Sequence, residues 1–283
     1  MRGHLRPLAL TILLLAPGTA ASAASGAAVS VPPGGLVRWP GAGVTRCFRE
    51  GHEVPAVAGE CLFAVDLLRA PGPLTFSRVR NGKRESATVR VEPSPYPVEK
   101  ITLPTDRYVN PPPADLARAA KERQEMARVF SRRTPPRFTL PLARPLAESP
   151  PGRNFGRKRV FNGEARQPHQ GVDYPVPDGT DVLAADDGVV ALSAQHFFPG
   201  RVVVIDHGGG LFSMYFHLSK SLVEAGAVVH RGERIAVSGA TGRVNGAHLH
   251  FGIHWQEARV NPELLFRPPA ELPAVGVAEH ATP

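Results

Sequence analysis

Between Val29 and Val91 the chain breaks into short β-rich runs, LFAVDLL and ATVRV among them, separated by Pro, Gly and Asn-Gly turn signals. This pattern predicts a small all-β domain, bounded at residues 25–92. The prolines of EPSPYPVEKITLPTDRYVNPPP then forbid regular helix and favour an extended connector over 93–150. Inside it, ADLARAAKERQEMARVF is free of Gly and Pro and repeats Leu116, Ala119, Ala120 and Ala127 near helical spacing. One helix over 114–130 is expected there, as a solvated brace. After a second extended stretch, TPPRFTLPLARPLAESPPG, strand signals return in DVLAADDGVVALSA, RVVVIDH, LFSMYFHL and AHLHFGIHW, set apart by Gly-rich turns such as HGGG. They predict an antiparallel sheet domain over 151–270 whose strands line a groove, followed by a flexible tail, 271–283. The expected fold class is mainly β: a groove-bearing β-sheet domain, a small N-terminal all-β domain and one connecting α-helix.

At 283 residues and 42% hydrophobic content the chain can bury a sizeable core. Its start has a different layout: Arg2 and Arg6, an apolar run from Leu8 to Ala16, then small residues ending in Ala21-Ser22-Ala23. That is the order of a secretory signal peptide, expected over 1–24, with the remainder exported. No later run approaches the roughly 20 apolar residues that span a bilayer, so no stable membrane insertion is expected after cleavage. In an oxidising compartment Cys47 and Cys61 are expected to form a disulfide. A metal site on them is a poor rival, since no histidine pair flanks them at finger-like spacing. The net charge of +8, or +6 once Arg2 and Arg6 are discounted, is scattered among Asp and Glu and suits weak attraction to an anionic surface. Nucleic acid is excluded as a partner by the lack of a Lys/Arg stripe interleaved with aromatics.

Eight of the eleven histidines fall between residues 169 and 254, which places the candidate chemistry in the second half of the chain. His248 and His250 sit two apart in a strand, so their imidazoles share one face. Two imidazoles crowded together are unfavourable if both are charged and need partners if both are neutral, so a metal or a catalytic task accounts for them better than chance. Upstream, His169 and Asp173 stand four apart in RQPHQGVDYPVPDGT. Pro168, Gly171 and Pro175 rule out a helix, so this pair has to converge through a loop entering a short strand. His169, Asp173 and one member of the HLH pair would make the three-ligand set of a zinc hydrolase, leaving the other histidine for protons. His217 ends LFSMYFH, where Phe212, Met214 and Phe216 alternate with Ser213, Tyr215 and His217; this predicts His217 on a polar face. His254 shares the parity of His250 but lies roughly 13 Å along the strand, too far to join it on one ion. His207 in the DHGGG turn reads as structural, and His196 and His230 as lying near loops without partners.

Taken in order, NFGRKRVFNGEARQPHQGVDYPVPDGTDVLAADDGVV, VVVIDHGGGLFSMYFHLS and RGERIAVSGATGRVNGAHLHFGIH resemble the M23 family of zinc metallopeptidases, the LytM and lysostaphin-like endopeptidases that cut peptidoglycan cross-bridges. The resemblance runs from Asn154 to near Leu265 and rests on HxxxD, YxHLS and HLHF. It implies a LytM-type (duplicated hybrid motif) sheet, one Zn2+ held by His169, Asp173 and His250, and catalytic roles for His217 and His248. Which of the two histidines acts as base stays open. The implied activity is zinc-dependent hydrolysis of the peptide stems or cross-links of peptidoglycan, and the Gram-negative periplasm is the expected setting. The rival class is a non-catalytic module that binds peptidoglycan or activates an amidase, against which the complete set of five residues argues. A third possibility is an enzyme held at rest by part of 93–150 lying over the groove.

Overall fold

In a computed structural model that describes residues 29–148 and 151–276, the chain folds mainly into β-strands, with one α-helix. The expected signal peptide lies outside the described residues. Among those residues no helix is long and apolar enough to cross a membrane.

The N-terminal part holds β1 (Ser30–Val31), β2 (Leu36–Trp39), β3 (Val44–Arg49), β4 (His52–Val54), β5 (Cys61–Ala64), β6 (Gly72–Arg80) and β7 (Lys83–Val91). They form a five-stranded sheet, β1-β7-β6-β3-β4, and a two-stranded one, β2-β5. The Asn-Gly signal becomes the two-residue turn of the β6–β7 hairpin, with Arg80 paired to Lys83 and both Asn81 and Gly82 at positive φ, the backbone a tight hairpin needs. Leu74, Phe76, Val89 and Val91 point inward, where Phe76 stacks on Phe63 at 4.1 Å between ring centroids. Cys47 on β3 is disulfide-bonded to Cys61 on β5, which staples the two sheets together.

The connector supplies β8 (Val98–Ile101) and α1 (Pro113–Phe130); β8 pairs in parallel with β9 (Lys158–Phe161), and β10 (Glu164–Ala165) completes a three-stranded sheet. Helix α1 starts on Pro113, whose missing N–H would be unpaired there in any residue. It is docked rather than solvated. Met126, Val129 and Phe130 pack on Leu192, Val202, Val204, Phe212 and Met214, while Glu122 accepts the Phe197 N–H at 2.8 Å and Glu125 meets His196 Nε2 at 2.9 Å. The inward stripe therefore runs Asp115, Ala119 and Val129, buried, with Glu122 and Met126 half-buried between them, at helical spacing but with two carboxylates in it, and the apolar stripe expected from sequence is corrected: Leu116 is 49% exposed and Ala127 is exposed. His196, expected to lack a partner, has one in Glu125.

The large sheet is built from β11 (Val172–Tyr174), β13 (Gly188–His196), β14 (Gly200–Asp206), β15 (Leu211–Leu218), β17 (Val228–Val229), β19 (Leu249–Trp255) and β20 (Ala258–Val260), in the order β11-β19-β15-β14-β13-β17 with β20 beside β19. A small sheet of β12 (Asp181–Leu183), β18 (Arg234–Val237) and β16 (Lys220–Ser221) packs on it. One face of the large sheet, with Tyr174, Tyr215, Leu249, Phe251 and Ile253, closes the main core against Val182 and Ile235 of the small sheet. The other face carries Phe212, Met214 and Phe216, paired across to His254, Gly252 and His250. Helix α1 covers the β13–β15 part of that face; the β11 edge carries the histidine cluster.

Gln256, in the β19–β20 turn, ties the two halves of the chain: its side chain accepts the Ala64 N–H at 3.1 Å and donates to the Leu62 carbonyl at 2.8 Å. The expectation of a loose tail from 271 is also corrected. Leu272 is buried, and Pro273 and Val275 exchange backbone hydrogen bonds with Arg38 of β2, so the chain is held as far as these residues.

Candidate metal centre

Asp173 and His250 face each other directly across the β11–β19 ladder, which puts both side chains on one face of the sheet. His169 reaches them from the loop before β11, the convergence through loop and strand that Pro168 and Gly171 require. Gly171 permits it: a Cβ there would stand 2.5 Å from the Phe251 carbonyl oxygen and 2.6 Å from His250 Nε2. Only a residue without a side chain lets the loop lie this close to β19.

The three donor atoms form a tight triangle. His169 Nε2 lies 2.7 Å from His250 Nδ1 and 3.0 Å from Asp173 Oδ1, and His250 Nδ1 is 3.0 Å from the same oxygen. His169 Nδ1 faces the Asn154 carbonyl at 2.9 Å, which can only accept, so that nitrogen carries the proton and Nε2 presents a lone pair. Burial lowers the pKa of His169, and burial together with His169 and Arg159 takes that of His250 to about 4, despite the pull of Asp173. Burial works against the Asp173 carboxylate, yet charge and hydrogen bonding from His169 and His250 hold it well below the usual carboxylate range. The set is thus two neutral imidazoles and one carboxylate. At most one proton, on His250 Nδ1, is available to three acceptors within 3.0 Å of one another. A cation in the middle satisfies all three, and two imidazoles with one carboxylate suit zinc, so the residues present fit a zinc ion.

His217 and His248 stand beside this triangle, their ring centroids 4.9 Å apart, with His248 Nε2 3.7 Å from Asp173 Oδ1. Each donates its Nδ1 hydrogen to a backbone carbonyl, His217 to Thr241 and His248 to Gly246, which leaves both Nε2 atoms as acceptors. Burial, then the neighbouring His248 and His250, keep the His217 pKa well below the ordinary value. The expected polar face for His217 needs correction. Ser213 and Tyr215 point into the closed core, bonded to His207 and to the Ala185 N–H, and the groove face is the apolar one with Phe216 stacked on His250. His217 joins that face because the β14–β15 register slips between Arg201 and Val203 and His217 takes a left-handed φ of 64°. Strain of this kind in a non-glycine residue is characteristic of functional sites.

Reasoning from sequence missed Arg159. From β9 it holds the second Asp173 oxygen, with Nη2–Oδ2 at 2.7 Å, while Glu99 of β8 lies 3.5 Å from its Nε. This leaves Oδ1 to the triangle and links the connector to the site. Its only sequence signal is the parity it shares with Phe161 in KRVF. His254 stays outside, stacked on Phe130 of α1 at 4.1 Å, and His207 is bonded to Ser213 and the Asp187 carbonyl, as a structural role requires.

A left-handed histidine thus stands beside a two-imidazole, one-carboxylate triangle that could hold a metal ion, on one face of an antiparallel sheet. Residues 167–262 match the model of peptidase family M23. The peptidoglycan DD-endopeptidase ShyA of Vibrio cholerae serotype O1 is 46% identical over 99 residues, which cover 35% of this chain and 23% of that protein. The DD-carboxypeptidase/endopeptidase Mpg of Neisseria meningitidis serogroup B is 38% identical over 104 residues, 37% of this chain and 24% of that one. The aligned stretch thus spans only about a quarter of the length of these relatives. A crystal structure described as a peptidase M23 from Pseudomonas aeruginosa superposes with a TM-score of 0.65 at 29% identity, covering 83% of this chain and 94% of that one.

Proposed function

We propose that this chain is an exported zinc endopeptidase that hydrolyses peptide cross-links or stems of bacterial peptidoglycan. The observation that carries the reading is the convergence of three lone-pair donors, His169 Nε2, Asp173 Oδ1 and His250 Nδ1, next to two further imidazoles whose Nε2 atoms accept. The match of residues 167–262 to the family M23 model and the named activities of ShyA and Mpg support the substrate class.

His169, Asp173 and His250 would hold the ion. Bound there, zinc supplies Lewis acidity, bringing the pKa of a water toward about 7 and polarising a carbonyl. The chain's own groups do the rest. Arg159 fixes the Asp173 carboxylate so that one oxygen faces the site. The carbonyls of Gly246 and Thr241 orient His248 and His217 with unprotonated Nε2 atoms forward. His248, more exposed than His217, is placed to accept the proton of the attacking water and return it to the leaving amine. His217, deeper and held neutral, is the partner that steadies the developing charge on the carbonyl.

Purified sacculi digested with the wild-type chain should release new muropeptides whose masses correspond to cut peptide bonds with glycan intact. His248→Ala and a chelated sample should release none. Release of sugar fragments, or undiminished release after chelation, would refute the reading.

A further inference from the structure

Arg243 lies in the loop that runs from Gly239 to His248, two residues past Thr241, whose carbonyl orients His217. Its own N–H is bonded to the Phe198 carbonyl at 2.8 Å, so the backbone is pinned to the β13–β14 turn. The guanidinium is clamped between two rings, 4.6 Å from the centroid of Phe161 and 4.6 Å from that of Phe198. Arg159 approaches the same Phe161 ring, at 6.0 Å. The clamp therefore adjoins the arginine that holds Asp173.

The two arginines whose charge acts on it each have an acidic partner. Arg159 has Asp173 and Glu99; Arg166 has Glu164 and the carbonyls of Ala165 and Val109. Among the described residues no carboxylate pairs with Arg243 and no hydrogen bond uses its guanidinium; its contacts are aromatic faces alone. Burial, then Arg159 and Arg166, bring its pKa down to about 10, so it remains charged at neutral pH with like charges around it. A half-buried guanidinium without an anion is a costly arrangement, and its planar fork matches a carboxylate. The aromatic clamp fixes the fork's orientation in advance, which reduces the ordering cost when an anion arrives.

We propose that Arg243 is a substrate-binding residue, its guanidinium set between Phe161 and Phe198 to take a free carboxylate of the peptide bound at the His169–Asp173–His250 site. This rests on reading that site as a peptidase. A peptide in which a carboxylate flanks the scissile amide is the matching class. A purely structural Arg243, pinning the loop to β9, would weaken all peptides alike when replaced, whereas a carboxylate receptor discriminates.

The probe is N-acetyl-D-alanine joined to the side-chain amine of diaminopimelate, prepared with the carboxylate beside that amide either free or as the carboxamide. Binding of both forms to the full zinc-loaded chain carrying His248→Ala is measured by calorimetry, alone and with Arg243→Gln or Arg243→Lys added. The free acid should bind roughly tenfold or more tightly than the amide, as a charge-assisted hydrogen bond provides. The ratio should fall to near one in Arg243→Gln and recover in part in Arg243→Lys. Equal affinities for acid and amide in the parent, no binding of either, or an unchanged ratio in Arg243→Gln overturns the proposal. Turnover by the chain with His248 intact reports separately: acid preference without hydrolysis sinks the peptidase reading, and hydrolysis of acid and amide at equal kcat/KM sinks the Arg243 assignment alone.

Discussion

His254 makes the seam between helix α1 and the sheet sensitive to acid. It is 8% exposed, stacked on Phe130 at 4.1 Å with the ring planes 10° apart, and no hydrogen bond engages its ring among the described residues. Burial, then Arg259, and more weakly Arg133 and Arg49, take its pKa to about 4, with Asp66 the one nearby charge pulling upward. The unfolded chain takes up this proton near 6.5, whereas the folded chain resists until about 4. Stability is therefore whole above 6.5 and is lost as pH falls through that window. At pH 5 the loss from this one group is about 2 kcal/mol, and below 4 it approaches about 3 kcal/mol. His254→Phe keeps an aromatic ring against Phe130 and removes the proton site. Urea unfolding with zinc present, followed by tryptophan fluorescence at pH 7.5 and pH 5, compares the two proteins. The stability difference should move by about 2 kcal/mol in favour of the variant on acidification. Parallel pH dependences would show that His254 is solvated, and with it that α1 does not seal this face.

The remaining predictions concern the site and the staple. Gly171→Ala has to displace either the Phe251 carbonyl or the His250 ring from 2.5 and 2.6 Å contacts, so zinc affinity in a chelator competition should weaken by at least about tenfold, and no change would mean the loop has room to yield. Arg159→Met releases the second Asp173 oxygen and should lower kcat/KM on peptide probes about tenfold or more, with partial rescue in Arg159→Lys; an equal effect of both variants would assign the role to the fork rather than the charge, and no effect would remove it. Replacing Cys47 and Cys61 together by Ala should cost about 3 kcal/mol in unfolding measurements, and a cost near zero would show that the reduced N-terminal sheets hold together without the staple.

The histidine motifs were legible because each is local: HxxxD and HLH put chemistry-bearing residues at spacings that ordinary core or surface positions do not need. Their convergence through a loop and a cross-strand pair also followed from the breakers Pro168 and Gly171. The side of the sheet on which His217 acts was not legible. Alternation counts faces only while the register holds, and here a bulge and a left-handed residue intervene at His217 itself. For the same reason alternation puts the apolar run Phe212, Met214, Phe216 on the face away from His217, whereas in the fold it shares the face of His250 and meets α1. Helix α1 was legible as a helix but not by its buried stripe, because Asp115 and Glu122 sit in that stripe and satisfy partners the sequence does not display. Arg159 and Arg243 depend on strands that meet only in the folded chain, so no spacing announces them.

The most direct measurement is the zinc stoichiometry of three purified proteins after equilibration with excess zinc and removal of the unbound metal. One zinc per chain is expected for the wild type and for His248→Ala, and close to none for His250→Ala. Stoichiometric, tightly held zinc in His250→Ala, or its loss in His248→Ala with His250 intact, would contradict the account.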